Sequence, residues 1–142
     1  MKHRKSLVIV VTLVVLSGMA VAQMFSNSRI VAQVPFEFVV GNRIVPAGEC
    51  DVRTATMGGK ILSIRNADAK VGLFSSTSRK ESKEPAPEYA LVFERYGNLY
   101  FLSGIKLQGS KINYQLPVSK AEAELRAQNV NATEETLLAV LK

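Results

Sequence analysis

The stretch from Pro35 to Cys50 constrains the fold more than any other part of the sequence, because it contains two chain reversals close together. A run rich in aromatic and β-branched residues ends at Gly41-Asn42, a pair typical of tight turns between strands. Pro46-Ala47-Gly48 marks a second turn, since proline presets φ and glycine tolerates positive φ. Phe36 and Phe38 share a parity, so an extended chain points both to one face. The pattern predicts three successive strands and indicates no chemistry.

The first 22 residues have the composition of an export signal. Met1-Lys2-His3-Arg4-Lys5 is basic, Leu7 to Leu16 is apolar, and Ala20-Val21-Ala22 fits a cleavage site. The apolar stretch is shorter than the roughly 20 residues that a membrane span needs. We therefore expect residues 1–22 to be a cleaved signal peptide, and the mature chain to be periplasmic or secreted, with no permanent membrane span.

Cleavage after Ala22 would leave 120 of the 142 residues, a length that suits one domain with a modest core. It would also lower the formal charge from +6 to +3, because the leader carries three basic residues. The remaining lysines and arginines are scattered, so nucleic acid is not an expected partner. We expect residues 23–28 to be flexible, residues 29–127 to form a β-domain with a flanking helix, and residues 128–142 to be a tail or short helix.

Short alternating segments separated by turn signals fill the chain from about Ile30 to Ser76, which is typical of an antiparallel meander. The strongest hairpin signal lies between Tyr89 and Leu102, where residues of both parities are apolar, so this hairpin is expected at the centre of a sheet. We predict a mainly β fold, an antiparallel β-sandwich or partly open barrel of about seven strands with a short C-terminal helix.

Three further segments complete the secondary-structure prediction. Residues 78–87 carry charges of both signs and two prolines, so they are predicted to be a solvated loop. Ser119-Lys120-Ala121-Glu122 has the pattern of a capping box, in which Ser119 caps the helix and Glu122 reaches back. Thr133 to Leu141 is a second helix candidate, with Thr133 as N-cap and three leucines on one face.

Four segments taken together resemble a group of small exported proteins common in acidobacteria: Val34-Pro35-Phe36-Glu37-Phe38-Val39-Val40-Gly41-Asn42, Val45-Pro46-Ala47-Gly48-Glu49, Leu91-Val92-Phe93-Glu94-Arg95-Tyr96-Gly97 with Tyr100-Phe101-Leu102, and Ser119-Lys120-Ala121-Glu122. The resemblance covers most of the mature chain and implies an exported β-rich domain, without a catalytic residue to carry across. The group usually has an aromatic residue after the Pro-Ala-Gly-Glu turn, where this chain has Cys50.

Catalytic groups are scarce in this sequence. The single histidine, His3, lies in the leader, so the mature chain has no imidazole for a Ser-His pair, a Cys-His pair or a His-containing metal site. No phosphate-binding or dinucleotide-binding motif is present, and we expect no cofactor. A weak carboxylate-dependent hydrolase is the third functional interpretation, with the candidates Glu37, Glu49, Asp51 and Glu94.

Aromatic residues around the 89–102 hairpin suggest a surface that binds a ligand or a partner. The candidates for this surface are Tyr89, Tyr96 and Tyr100, with Arg79 and Lys80 on the bordering loop. Cross-strand packing in the core is the alternative role for the aromatic rings. A small barrel that carries an apolar ligand is the second functional interpretation.

Cys50 has no partner for an intramolecular disulfide, so stability depends on packing. It shares a parity with Val52 and Thr54 and is opposite Glu49, Asp51 and Arg53, which favours a buried thiol over a reactive one. From the leader, the β pattern and the missing catalytic groups, we expect an exported, non-enzymatic domain that binds an unknown partner protein or envelope component.

Overall fold

The computed structural model describes residues 29–56 and 60–142. The predicted signal peptide, residues 1–22, and the predicted flexible segment, residues 23–28, lie outside the described residues. The strands and the helix of the described part are β1 (Ile30–Val34), β2 (Phe38–Val40), β3 (Arg43–Val45), β4 (Gly48–Thr54), β5 (Ile61–Asn66), β6 (Val71–Ser76), β7 (Ser78–Glu81), β8 (Ala90–Tyr96), β9 (Leu99–Lys106), β10 (Ile112–Gln115), α1 (Lys120–Ala127), β11 (Thr133–Leu138) and β12 (Val140–Leu141).

These strands form two sheets that are not closed into a barrel. The five-stranded sheet has the order β12-β1-β4-β5-β6. In the seven-stranded sheet, the order β11-β8-β9-β10-β7 is extended by the β2–β3 hairpin, which joins β9 through the parallel pair Val39 and Phe101. The other pairings between the described strands are antiparallel, and an isolated parallel bridge joins Ala86 to Gln108 outside the strands. The predicted mainly β fold with a short helix is confirmed, with twelve described strands, several of them short, in place of about seven.

One hydrophobic core fills the space between the two sheets. Val52 and Ile64 enter it from the five-stranded sheet, and Leu91 and Ile105 enter it from the seven-stranded sheet. Phe93 lies at its centre, where Phe36 and Phe38 contact its ring edge-on with centroid distances of 5.0 and 5.1 Å. Both rings therefore do point to one face, as their parity predicted, and such pairs add about 0.5–1.5 kcal/mol each beyond their burial.

Both predicted turns of the opening stretch are present. Gly41 has a φ of 63° between β2 and β3, a value that glycine adopts without strain. Gly48 has a φ of 140° and lies against Asn66 and Asp68, so closely that a Cβ atom would come within 2.9 Å of the Asp68 carboxylate. The 89–102 hairpin is also confirmed as β8 and β9, which lie inside the seven-stranded sheet.

Two predictions near the ends of the sheets were wrong. Thr133 to Leu141 is not a helix, since β11 pairs with β8 along six residues and β12 pairs with β1. A helix this short has little stability of its own, so hydrogen bonding to the open edges of β8 and β1 is more favourable. The 78–87 segment is only partly a loop. β7 pairs with β10, and its four side chains are exposed. The charged side chains of this segment correctly predicted exposure to solvent, but an exposed segment can still form an edge strand.

The predicted helix is confirmed as α1. Ser119 has extended backbone angles, and its Oγ accepts a hydrogen bond from the Glu122 amide at 3.2 Å. The second half of the capping box is absent, because the Glu122 carboxylate bonds elsewhere. Within the described part of the chain, no helix is long and apolar enough to cross a membrane.

Candidate functional site

A charged groove crosses the outer face of the seven-stranded sheet. Val92 and Glu94 reach this face because they alternate along β8 with the core residues Leu91 and Phe93. The groove has a volume of about 310 Å³ and is bordered by β7, β8, β9, β10, β11 and α1. We call this cavity the charged groove, and the residues that decide its chemistry are Lys80, Lys106, Asn113, Glu94, Glu134, Glu122 and Arg126.

Two lysines occupy one end of the charged groove. Lys80 on β7 pairs with Asn113 on β10, and the β10–β9 register, continued by one residue, places Lys106 on the other side of Asn113. Neither lysine forms a salt bridge with any described residue. The Oδ1 atom of Asn113 is buried without a hydrogen-bond donor from the described chain. This end therefore presents two cations that no described residue neutralises.

Two glutamates occupy the other end. Glu94 on β8 lies directly opposite Glu134 on β11, so both carboxylates project from the same face of the sheet. Burial raises the pKa of Glu94, and the charges of Glu134 and Glu122 raise it further, while Arg126 opposes the shift. Glu134 forms no salt bridge with a described residue. This end carries negative charge that the domain does not fully neutralise.

A hydrogen-bonded triangle fixes the helix beside the glutamate end. The Tyr96 hydroxyl donates to Glu122 Oε1 at 3.0 Å, and Arg126 donates from Nε to the Tyr96 oxygen and from Nη2 to Glu122 Oε1, both at 2.9 Å. Glu122 is only 3% exposed, so its charge depends on these two donors. The triangle holds α1 against the sheet and makes this wall of the groove rigid.

The backbone positions on β8 that mark the two ends are about 13 Å apart along the strand. Lys106 pairs with Ala90, and Glu94 lies four residues further along β8, at about 3.3 Å per residue. Between the ends, Gly104 pairs with Val92 and Gln115 and adds no side chain of its own to the floor, where Val92 lies beside it. The extra residue of a β-bulge, Ser103, donates its hydroxyl to the Val92 carbonyl at 3.1 Å.

The structure brings together only part of the predicted surface. Lys80 lines the charged groove, whereas Arg79, its neighbour along β7, does not. Tyr96 was expected to reach a surface, but α1 covers it and leaves it 3% exposed. Tyr100 stacks on Phe36 with a centroid distance of 3.7 Å and lies away from the groove. Tyr89 is half-buried against the core.

The four candidate carboxylates are not brought together. Glu94 lies in the charged groove, whereas Glu49 and Asp51 belong to β4 of the other sheet and Glu37 is exposed between β1 and β2. Asp51 was expected to face outward, and it does lie opposite Cys50, but it is only 6% exposed. Arg29 and Arg53 approach its carboxylate to 3.6 and 3.5 Å, which compensates the buried charge.

Cys50 is a core residue. Its side chain is 1% exposed, which confirms the buried interpretation. Burial, with a smaller contribution from the charge of Asp51, raises the pKa of the thiol to about 12. Because the thiolate is the nucleophile, the thiol has little reactivity at neutral pH, and the geometry disfavours the alternative of a reactive site.

An apolar cavity lies where the two sheets meet near Tyr89 and Tyr114. Its volume is about 180 Å³, and it is bordered by Ile30, Val52 and Leu141. This is below the roughly 300–1,000 Å³ of typical small-molecule sites. In the described residues, His, Cys, Asp and Glu side chains do not gather in sets of three that could hold a metal ion.

Most of the groove residues were missed by sequence reasoning. Glu122 was recognised only as part of a capping pattern, although Arg126 four residues later is a sequence signal for an ion pair on one helix face. Glu134 was assigned to a helix start. Lys106 and Asn113 carry no local signal, because strand pairing alone places them beside Lys80.

Comparisons of the chain with models of protein families, with curated proteins and with solved structures gave no match.

Proposed function

We propose that this protein is an exported, non-enzymatic β-domain that binds a component of the cell envelope in the charged groove. The observation that carries the proposal is the separation of charge in this groove. Lys80 and Lys106 form no salt bridge within residues 29–56 and 60–142 and lie at one end, and Glu94 and Glu134 face each other at the other end, on a sheet that α1 supports. Like charges held side by side cost free energy, and a ligand that compensates them recovers it.

The bound component is expected to be polar and to carry both signs of charge. An anionic group suits the lysine end, and a cationic group suits the glutamate end. The apolar-carrier alternative rests on the cavity of about 180 Å³, which has room for only a small group. The hydrolase alternative has weaker support, because Glu37, Glu49 and Asp51 lie away from Glu94.

Native mass spectrometry of the mature protein purified from its own envelope fraction tests this proposal. Gln115→Trp places an indole over Gly104 and blocks the groove, while Gln33→Trp adds the same ring to an exposed position of β1. We expect wild type and Gln33→Trp to carry an added mass that Gln115→Trp lacks. Intact mass should also show the chain starting at Gln23 if the leader is removed as proposed.

Two results would contradict the proposal. Recovery of the protein with residues 1–22 intact in the cytoplasmic fraction would remove the export claim. An added mass retained by Gln115→Trp would place the ligand elsewhere, and an apolar mass of that kind would favour the cavity near Tyr89 and Tyr114. The absence of any added mass from wild type would also count against the proposal.

A further inference from the structure

Resting on the proposed function, we infer that the charged groove binds a short extended peptide with free termini. The peptide C-terminal carboxylate lies at Lys80 and Lys106, and its N-terminal ammonium lies at Glu94 and Glu134. The inference depends on three features of the groove, which are its length, its floor and the arrangement of its charges.

The length fits four residues. An extended chain spans at most about 3.3–3.6 Å per residue, so a tetrapeptide places its terminal charges about 13 Å apart. This equals the separation of the two ends along β8, from the position paired with Lys106 to Glu94. A dipeptide cannot reach both ends, and a much longer peptide must leave one terminus outside the groove.

The floor suits a peptide backbone. Gly104 has no side chain and lies in the middle of the groove, so a ligand main chain can approach the sheet closely. The exposed Gln115 amide, opposite Gly104 on β10, offers both a donor and an acceptor to that main chain.

The arrangement of charges in the groove favours a peptide over other classes of envelope molecule as the ligand. A neutral glycan gives no counter-charge to Lys106 or to Glu94. A purely anionic molecule is attracted at the lysine end and repelled at the glutamate end, where Glu94 and Glu134 lie opposite each other and Arg126 is already paired with Glu122. A free peptide carries one charge of each sign at its two ends, in the order that the groove presents.

Calorimetric titration of the mature domain with tetraalanine at low salt tests the inference. Tetraalanine with an acetylated N-terminus, with an amidated C-terminus, and the unmodified dipeptide serve as comparison ligands. We expect each blocked tetrapeptide to bind about fivefold more weakly than the free one, which is the upper range for a partly exposed ion pair. The dipeptide should bind more weakly than the free tetrapeptide.

Two variants assign the ends. In Lys106→Gln, amidation of the peptide should matter less than in the wild type, because only Lys80 remains at that end, while acetylation should weaken binding as before. In Glu94→Gln the pattern should reverse. A variant that failed to fold would bind all of the peptides more weakly, so it could not lose its response to only one blocked terminus. Lys60→Gln, just before β5, and Glu124→Gln on α1 remove the same charges from exposed positions outside the groove, and both should behave as wild type.

Equal binding of free and blocked peptides, or no binding of tetraalanine to the folded domain, would overturn the peptide inference. If the envelope-purified protein still carried a mass sensitive to Gln115→Trp, the groove would remain the proposed binding site and only the ligand class would be wrong. If that mass were absent as well, the proposed function would fail together with the inference.

Discussion

Asn66 connects the turn that precedes β4 with the turn that follows β5. Its side-chain amide is 1% exposed and donates to the carbonyls of Pro46 and Ala47 at 2.8 and 3.2 Å. Its Oδ1 atom accepts from the Ala69 amide at 3.0 Å. One side chain therefore satisfies three backbone groups that belong to different turns.

Asn66→Ala should lower the free energy of unfolding by about 2–4 kcal/mol, because it leaves these partly buried backbone groups without partners. Urea denaturation measures the change. Asn131→Ala removes an exposed asparagine from the loop after α1 and should change stability by no more than about 0.5 kcal/mol. Equal effects of the two substitutions would show that the amide of Asn66 is not needed for the turns.

Glu94 gives the stability of the domain a specific pH dependence. Burial first, and then the charges of Glu134 and Glu122, raise its pKa in the folded state above the ordinary value of 4.5. The ionised carboxylate therefore costs free energy in the folded state above the raised pKa, and the cost disappears as the group becomes protonated in both states below pH 4.5.

Glu94→Gln should therefore stabilise the domain at pH 7 by up to about 1 kcal/mol and should give no gain well below pH 4.5. Urea denaturation at several pH values tests the direction of the effect. The exposed Glu124→Gln on α1 serves as the control and should show no such trend. A gain that persists unchanged at low pH would exclude relief of charge repulsion as its cause.

At the scale of elements, the C-terminal segment joins the two sheets. β11 covers the edge of β8 in the seven-stranded sheet, and β12 covers the edge of β1 in the five-stranded sheet. The Ala139 amide between them donates to the Tyr89 carbonyl at 2.9 Å. Without this segment, β8 would present an apolar edge with unpaired backbone groups, which is a known route to association.

Deletion of residues 133–142 should lower the free energy of unfolding by about 3 kcal/mol or more, through loss of the ladder with β8, and should increase self-association. Thermal unfolding and sedimentation velocity measure the two effects. Deletion of residues 140–142 alone leaves β8 covered and should cause a smaller loss without association. If the longer deletion left a species of unchanged size and stability, the segment would not protect these edges.

At the scale of the whole molecule, the domain is built without a disulfide, so its stability comes from the core shared by the two sheets. The charged groove lies on the opposite face of the seven-stranded sheet from this core. Substitutions that remove charged side chains at the groove ends therefore leave the core packing unchanged. A change in binding can then be assigned to the groove itself.

Features that depend on neighbouring residues could be predicted from the amino-acid sequence alone. Alternation predicted most strands of the first sheet and the β8–β9 hairpin, glycine and proline predicted the turns near Gly41 and Gly48, and the parity of Cys50 predicted its burial. These features follow from local backbone preferences and from which face of a strand a side chain occupies. These features therefore do not depend on knowing which distant residues are in contact.

The C-terminal strands and the composition of the charged groove depend on contacts between distant parts of the chain. Thr133–Leu138 has residues compatible with a helix, but the open edge of β8 supplies a ladder that overrides so weak a preference. Lys80, Lys106 and Glu134 come from strands far apart in the chain, and pairing alone places them around one cavity. Long-range register carries no local signal, which is why the site had to be read from the fold.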